Sequence, residues 1–313
     1  MKKLLIALIA LLVVLVVAGA LAIYLRPIAI ISAANRRTLA KAGFAKSTID
    51  SPVGPQAVFT AGSGPTLIFI HGAGDNAGTW KEVAPRFTDK FHVVALDMAG
   101  HGESAPSAGP LKMETMLAGL RAVIEKQPQP VILVGNSLGA WIAMLYASEH
   151  PADVTRVVVV DGGPIRGDRV DLAKLPENRE DARKIWEAIL DPGSPRIPDF
   201  ILDDVVRESR RGAIGRMDKS DMEQHLVREE SLHGYPVSID ILWGKSDRLV
   251  PWAYAERMAA ALPAVRAVAI ARCGHIPQGE CPSTFTQELT GTLSLAPAAR
   301  VAAPIQNAAS KKR

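Results

Sequence analysis

One stretch of the sequence, VILVGNSLGAWIAMLYA at residues 131–147, restricts the possible folds more than any other. Residues 131–134 are apolar and mostly β-branched, as in a buried strand, and the residues after Gly139 have the composition of a packed helix. Ser137 lies between them, with Gly135 and Gly139 two residues away on either side. Glycine tolerates the close backbone approach that a sharp turn requires. The spacing predicts a serine that projects from a tight strand–helix corner, beside the positive end of the helix dipole.

Strand-like and helix-like segments alternate along the chain from residue 58. Apolar strand-like segments lie at 66–72, 91–97, 131–135, 154–163, 237–244 and 265–275, and helical patterns lie near 78–87, 113–126, 139–149 and 252–262. Strands that are apolar on both faces and alternate with helices predict an α/β fold, with a mostly parallel sheet covered by helices on both faces. We expect this core to comprise residues 55–164 and 237–295.

Residues 165–236 interrupt this alternation. The segment is charged, contains several prolines and has no strand-like run, but IWEAIL (185–190) and FILDDVV (200–206) have the spacing of short amphipathic helices. An insertion of this length is predicted to be a helical cap rather than a loop. Its apolar side chains could contact a substrate or form the core of the cap, which is the commoner role. They include Trp186, Ile189, Phe200, Ile201 and Met217.

The N-terminal segment, residues 1–26, contains an uncharged apolar run at 4–25. As a helix this run would extend about 33 Å, close to the thickness of a bilayer. We interpret it as an uncleaved transmembrane anchor, followed by a partly helical juxtamembrane connector at 27–54. The alternative is a secretory signal, because Ala18-Gly19-Ala20 has the small-x-small form of a cleavage site. We expect the body of the protein to lie outside the cytoplasm, either anchored at the cell membrane or secreted after cleavage.

The net charge of +4 comes from the two ends of the chain. Residues 1–49 and 298–313 carry 11 of the 36 Lys and Arg and none of the 32 Asp and Glu. The remaining body is acidic, which argues against a nucleic-acid-binding face. The Ala- and Pro-rich tail at 296–313 has the composition of a disordered segment. The sequence has no metal-ligand spacing and no phosphate-binding loop, so we expect neither a metal nor a cofactor.

A serine becomes a nucleophile when a base lies in hydrogen-bonding reach and an acid orients that base. His275 follows the last strand-like segment, so we expect it at the carboxyl edge of the sheet, where catalytic groups gather in such folds. Asp161 and Asp247 both follow strands and are the candidate acids. The backbone N–H groups of Leu138, next to the serine, and Ala73, after the strand at 66–72, are candidate oxyanion donors.

Five motifs in this order resemble the α/β-hydrolase superfamily: HGAG (71–74), DMAGHGES (97–104), GNSLGA (135–140), WGKSDRLVP (243–251) and CGHIPQGECP (273–282). The resemblance covers residues 55–290 and is nearest to the capped serine hydrolases, which include carboxylesterases and lipases. It implies that Ser137 is the nucleophile, Asp247 the acid and His275 the base, and so favours Asp247 over Asp161. A serine at the nucleophile position argues against the haloalkane dehalogenases and epoxide hydrolases of the same group.

This resemblance implies a membrane-anchored serine hydrolase that cleaves carboxylic ester-type bonds of a small-molecule ester or acyl substrate through an acyl-enzyme. The same three residues also serve carbon–carbon bond hydrolases, in which an asparagine like Asn136 occurs, and cofactor-free perhydrolases. A catalytically silent, membrane-tethered binding protein is an alternative of another class.

The two cysteines, Cys273 and Cys281, bracket His275. In an oxidising compartment a disulfide between them would fix the loop that carries the histidine. Sequence spacing does not show whether their Cα atoms lie within bonding distance, so two buried thiols are the alternative.

Overall fold

The computed structural model describes residues 2–166 and 175–297 and contains one eight-stranded sheet. The strands are β1 (Ala45–Ile49), β2 (Gln56–Ala61), β3 (Thr66–Ile70), β4 (His92–Leu96), β5 (Val131–Asn136), β6 (Val154–Val160), β7 (Ser238–Gly244) and β8 (Val265–Ile270). Their order across the sheet is β1-β2-β4-β3-β5-β6-β7-β8. β2 pairs antiparallel with β1 and β4, and the other neighbours pair parallel. The mostly parallel sheet predicted from the sequence is confirmed.

The described helices begin with a long N-terminal one and otherwise alternate with the strands or fill the insertion. They are α1 (Lys2–Leu25), α2 (Pro27–Lys41), α3 (Met113–Glu125), α4 (Leu138–Glu149), α5 (Arg179–Ile189), α6 (Asp199–Arg211), α7 (Ala213–Arg216), α8 (Lys219–Gln224), α9 (Trp252–Ala261), α10 (Pro277–Glu280) and α11 (Pro282–Ser294).

The helix expected near 78–87 is instead two 3-10 helices, Ala77–Trp80 and Ala84–Phe87. A separate 3-10 turn lies in the insertion at Glu229–Leu232. The expectation of a single helix at 78–87 is wrong because Gly78 is a poor helix former and Pro85 lacks the N–H that an interior helical residue must donate.

Both faces of the sheet are covered by helices. On one face α3, α4 and α9 pack in a cluster that includes the buried strand residues Leu133 and Trp243. On the other face, Leu39 of α2, Trp80 and Phe285 of α11 belong to a second buried cluster. The inner strands are mostly apolar on both faces because each face is buried against one of these clusters.

The sheet begins earlier in the chain than the strand-like segments indicate. β1 lies inside residues 27–54, the predicted connector, which also contains α2. Four of the five β1 residues are exposed, so the strand lacks the apolar run that marks the others. Backbone pairing with β2 holds it at the edge of the sheet.

Two strands end three or more residues before their predicted segments, and the residues that end them matter for the site. β6 ends at Val160 rather than residue 163, and β8 ends at Ile270 rather than residue 275. Asp161 and Arg272 have positive φ angles of 47° and 55°, a backbone conformation that no strand can continue through.

α1 is the one described helix that is long and apolar enough to cross a membrane, judged by its length and composition. None of its residues is buried. α2 follows after one residue and packs on the body of the protein, where Leu39 is fully buried.

The insertion forms α5 to α8 and the 3-10 turn within its described residues, and the two predicted amphipathic stretches fall in α5 and α6. The insertion is attached to the core by Arg216, which donates to the carbonyl of Pro106 at 2.6 Å, and by Asp221, which accepts from the N–H of Met113 at 2.8 Å. From residue 298 onward, the tail predicted to be disordered lies outside the described residues.

Candidate active site

The corner between β5 and α4 holds Ser137. Its backbone has φ 53° and ψ −116°, which for a residue other than glycine costs on the order of 1–3 kcal/mol. The Ser137 N–H donates to the carbonyl of Val160 at 2.8 Å. A Cβ at Gly135 would collide with the carbonyl of Gly139, and one at Gly139 would lie 2.5 Å from the carbonyl oxygen of His71. Glycine is therefore required at both positions, as the spacing predicts.

Ser137, His275 and Asp247 lie in one hydrogen-bonded chain. His275 Nε2 is 2.9 Å from Ser137 Oγ, and His275 Nδ1 is 2.7 Å from Asp247 Oδ2. When Nδ1 carries the proton and donates a hydrogen bond to the Asp247 carboxylate, Nε2 is unprotonated and accepts a hydrogen bond from the Ser137 hydroxyl. The other Asp247 oxygen accepts from the N–H groups of Leu249 and Val250 at 2.8 and 2.9 Å. His275 and Asp247 are 4% and 3% exposed, so this acid–base pair is shielded from water, whereas Ser137 is partly exposed.

The sheet topology brings these three side chains together. Ser137 follows β5, Asp247 follows β7 and His275 follows β8, and these strands lie parallel within one half of the sheet. Their carboxyl ends therefore meet at the same edge. Asp161, the other candidate acid, follows β6; the structure places Asp247 and not Asp161 in contact with His275 Nδ1.

The loop after β3 lies beside the serine. A Cβ added at Gly72 would lie 3.2 Å from Ser137 Cβ, which places the neighbouring Ala73 close to Ser137. Leu138 is the first residue of α4, and a first helical N–H has no acceptor within its own helix. The two predicted oxyanion donors, Ala73 and Leu138, are thus on the loop and the helix that adjoin Ser137.

His71 shapes this loop. Its Nδ1 donates to the carbonyl of Gly72 at 2.7 Å, and its Nε2 accepts from the N–H of Met98 at 3.0 Å. Burial lowers the pKa of His71 to about 4, so the ring is neutral and keeps the acceptor that Met98 needs. Both ring nitrogens are engaged by backbone.

The loop that carries His275 is held at several points. Cys273 and Cys281 form a disulfide with their Cα atoms 6.0 Å apart. Asn136 Nδ2 donates to the carbonyl of His275 at 2.9 Å, and Gln278 Nε2 donates to Asn136 Oδ1 at 3.1 Å. The residue before the serine therefore fixes the backbone of the histidine. The family resemblance provides only a hint for Asn136, and no sequence feature identifies Gln278, because hydrogen bonds between residues far apart in the chain leave no local pattern.

A turn of the insertion contacts the same loop. The His275 N–H donates to the carbonyl of Ile189 at 2.7 Å. The Glu280 carboxylate accepts from the N–H groups of Gly274 and Asp191, at 2.6 Å each. Glu280 and Asp191 have no sequence signal of their own, because their role arises where the insertion meets the loop.

The apolar positions of the insertion have different surroundings. Ile189 and Met217 pack against the main core cluster. Phe200 stacks on Tyr24 of α1, with ring centroids 5.8 Å apart. Trp186 lines a cavity of about 170 Å³ between α5, the start of α6 and the loop after β7, and Ser137 does not line it.

One group of side chains within residues 2–166 and 175–297 offers three close atoms of the kind that bind metals. One such atom each from Asp161, Asp247 and His275 lies within 4.8 Å of the others. Asp247 and His275 are hydrogen-bonded to each other at 2.7 Å. The arrangement is therefore a buried acid–base network around the serine.

The profile of the alpha/beta hydrolase family matches residues 67–288. An uncharacterised protein of Mycobacterium tuberculosis is 27% identical over 253 residues, which cover 72% of this chain and 74% of that protein. A pimeloyl-[acyl-carrier protein] methyl ester esterase of Vibrio vulnificus is 24% identical over 261 residues, which cover 74% of this chain and 94% of the esterase.

Among solved structures, a membrane phospholipase A described as a bacterial virulence factor superposes with a TM-score of 0.74 and 26% sequence identity. The match covers 94% of this chain and 98% of the phospholipase.

Proposed function

Since the chain belongs to the alpha/beta hydrolase family, we propose that it is a serine hydrolase that cleaves carboxylic esters through an acyl-enzyme. The observation that carries this proposal is the chain of hydrogen bonds from Ser137 to His275 to Asp247, at 2.9 and 2.7 Å, on a strained strand–helix corner. A base that is itself oriented by a buried carboxylate is the arrangement that activates a serine.

Each residue has a distinct part in the proposed reaction. Ser137 Oγ attacks the ester carbonyl while its proton passes to His275 Nε2, and Asp247 stabilises the imidazolium that results. The N–H groups of Leu138 and Ala73 stabilise the oxyanion of the tetrahedral intermediate. His275 then protonates the departing alcohol, and a water molecule, deprotonated by His275, hydrolyses the acyl-enzyme.

An ester is the substrate class that the relatives support. The Vibrio vulnificus relative is a methyl ester esterase, and the superposed structure is a phospholipase. The insertion at 165–236, whose turn bonds to the histidine loop, is proposed to be the cap that selects the substrate.

We further propose that α1 anchors the protein in the membrane with the body outside the cytoplasm. α1 is an apolar helix with no buried residue, so a bilayer is the environment that suits its surface. The Cys273–Cys281 disulfide supports an oxidising compartment.

Labelling with a fluorophosphonate probe tests the nucleophile. The full-length protein in detergent is used, because α2 and β1 pack on the body of the protein. We expect labelling of the wild type and of the control Ser148→Ala, an exposed serine on α4, and none of Ser137→Ala. A cooperatively folded wild type that does not react would contradict an activated serine.

A substrate panel then tests the bond that is cleaved. We expect turnover of carboxylic esters by the labelled protein and its loss in Ser137→Ala. Turnover of vinylogous diketones without ester cleavage would instead indicate a carbon–carbon bond hydrolase, and labelling without any turnover would argue for a binding role.

A further inference from the structure

β6 is followed by Asp161, a fully buried carboxyl group that the proposed reaction does not use. Its φ of 47° turns the chain sharply, and its Oδ1 accepts from the N–H of Gly244, at the end of β7, at 2.8 Å. A Cβ on the next residue, Gly162, would lie 2.6 Å from the Cα of Ser137. This turn therefore passes directly against the backbone of the proposed nucleophile.

The carboxyl group of Asp161 lies next to that of Asp247. One atom each from Asp161, Asp247 and His275 lies within 4.8 Å of the others, so the two buried carboxyl groups are neighbours. Within the described part of the chain, Asp161 Oδ2 receives no hydrogen bond although it is fully buried. A buried carboxylate oxygen without a donor is costly, whereas a protonated one can itself donate.

The donors around the two aspartates are unequal. Asp247 accepts from His275 and from two backbone N–H groups, while Asp161 accepts from one. Two adjacent buried carboxylates cannot both be ionised without a large desolvation and repulsion cost. Burial raises the pKa of Asp161 well above its usual range, and the charge of Asp247 raises it further. The single proton of the pair therefore belongs on Asp161.

Glu280 is a further acidic group near this pair. Its carboxylate is held by the N–H groups of Gly274 and Asp191 at 2.6 Å, and its charge also favours a neutral Asp161. The N–H of Gly244 at the end of β7 favours the ionised form of Asp161, but burial and the charges of Asp247 and Glu280 outweigh it and favour the protonated carboxyl.

We propose that Asp161 is a positioning residue whose protonated carboxyl group donates a hydrogen bond to Asp247 and so holds that carboxylate against His275. The inference rests on the proposed serine hydrolase function. Asp161 touches no substrate and keeps its proton throughout the reaction, while the proton that moves passes from Ser137 to His275. The two aspartates then carry one negative charge between them, which matches the single positive charge of the imidazolium.

Two neutral substitutions of similar size test the hydrogen bond. Asp161→Asn keeps an acceptor for Gly244 and a donor toward Asp247, whereas Asp161→Leu keeps neither. For Asp161→Asn we expect kcat/KM within about threefold of wild type from about pH 5 to about pH 9. The acidic limb of the pH–rate profile, where activity falls as pH is lowered, should not move. For Asp161→Leu we expect kcat to fall about 10- to 100-fold with KM changed less than about threefold.

The position of the acidic limb of the pH–rate profile distinguishes a hydrogen-bonding role of Asp161 from a merely structural one. Without its donor, Asp247 concentrates more charge beside His275, so the limb of Asp161→Leu should move to higher pH. A loss of rate with an unmoved limb would overturn the proposal. A limb of Asp161→Asn that moves to lower pH would also overturn it, because it would show that the wild-type residue is ionised.

Infrared difference spectra of wild type minus Asp161→Asn test the proton itself at neutral pH. We expect a protonated-carboxyl C=O band in the wild type, and its absence would overturn the proposal even if Asp161→Leu does not fold. The spectrum needs no turnover, so its failure is distinct from failure of the proposed function, which probe labelling of Ser137 reports.

Discussion

Gly139 lies in the first turn of α4, where its Cα faces the backbone of β3 and the loop after it. A Cβ at this position would lie 2.5 Å from the carbonyl oxygens of Ile70 and His71. Those oxygens belong to the strand and loop that adjoin Ser137, so they cannot move away without moving the site. The requirement for glycine here comes from the closeness of two backbones and not from the local turn alone.

We expect Gly139→Ala to lower the free energy of unfolding by about 1–3 kcal/mol and to slow labelling of Ser137. Gly291→Ala in α11 is the matched control, because a Cβ there meets nothing within 4 Å. Its better helix propensity should raise the free energy of unfolding by up to about 1 kcal/mol. Urea unfolding and probe labelling measure both effects. A Gly139→Ala variant as stable and as reactive as wild type would contradict the close approach seen here.

At the scale of elements, a side chain of α6 in the insertion caps the N-terminus of α2. The residue that precedes α2, Arg26, makes no side-chain capping bond. Asp204 of α6, which is fully buried, instead accepts from the N–H of Ile28 at 3.0 Å. A carboxylate beside the first turn satisfies one of the free helical N–H groups and faces the positive end of the helix dipole.

We expect Asp204→Ala to lower the free energy of unfolding by about 1–2 kcal/mol, the usual effect of losing a helix cap. Asp203→Ala, at the neighbouring position, is the control. The Asp203 carboxylate pairs with Arg179 at 2.7 Å on the surface, and this ion pair should contribute less than about 1 kcal/mol. Denaturant unfolding of both full-length variants in detergent makes the comparison. Equal effects of the two substitutions would show that Asp204 does not cap α2.

At the scale of the whole molecule, the insertion, the N-terminal helices and the sheet form a connected body. α6 reaches the last residues of α1, where Arg207 donates to the carbonyl of Leu25 at 2.8 Å and Phe200 stacks on Tyr24. The same insertion bonds to the histidine loop through Ile189. The proposed anchor and the proposed catalytic loop are therefore linked through one segment of the fold.

We expect the mature protein to fractionate with membranes and to retain residues 1–26, because the apolar run continues beyond the possible cleavage site at Ala18-Gly19-Ala20. Intact mass of the protein purified from membranes measures this. Ala20→Leu, which removes the small residue before that site, should leave the mass of an uncleaved protein unchanged apart from the substitution. A wild type that begins after Ala20, with the full length restored in Ala20→Leu, would show signal cleavage instead.

Much of the fold could be predicted because buried parallel strands are written as continuous apolar runs. β3 to β8 all lie within such runs, although β6 and β8 end early, before Asp161 and Arg272, whose positive φ angles turn the chain. β1 has no such run, since its side chains are exposed and its stability comes from backbone pairing with β2. An edge strand held in this way has no hydrophobic pattern to detect.

The sequence by itself determined the corner at Ser137, because the glycines on either side of it have a purpose in a tight strand–helix turn and little elsewhere. For the catalytic acid, the sequence pattern left Asp161 and Asp247 as alternatives, since both follow strands, and the family resemblance favoured Asp247. The tertiary structure decided the contacts: Asp247 meets His275, Asp161 lies behind it, and Asn136 bonds to the histidine backbone. The Asn136–His275 and Ile28–Asp204 bonds join residues 139 and 176 positions apart. Such contacts depend on how distant segments pack, which no local pattern of residue types encodes.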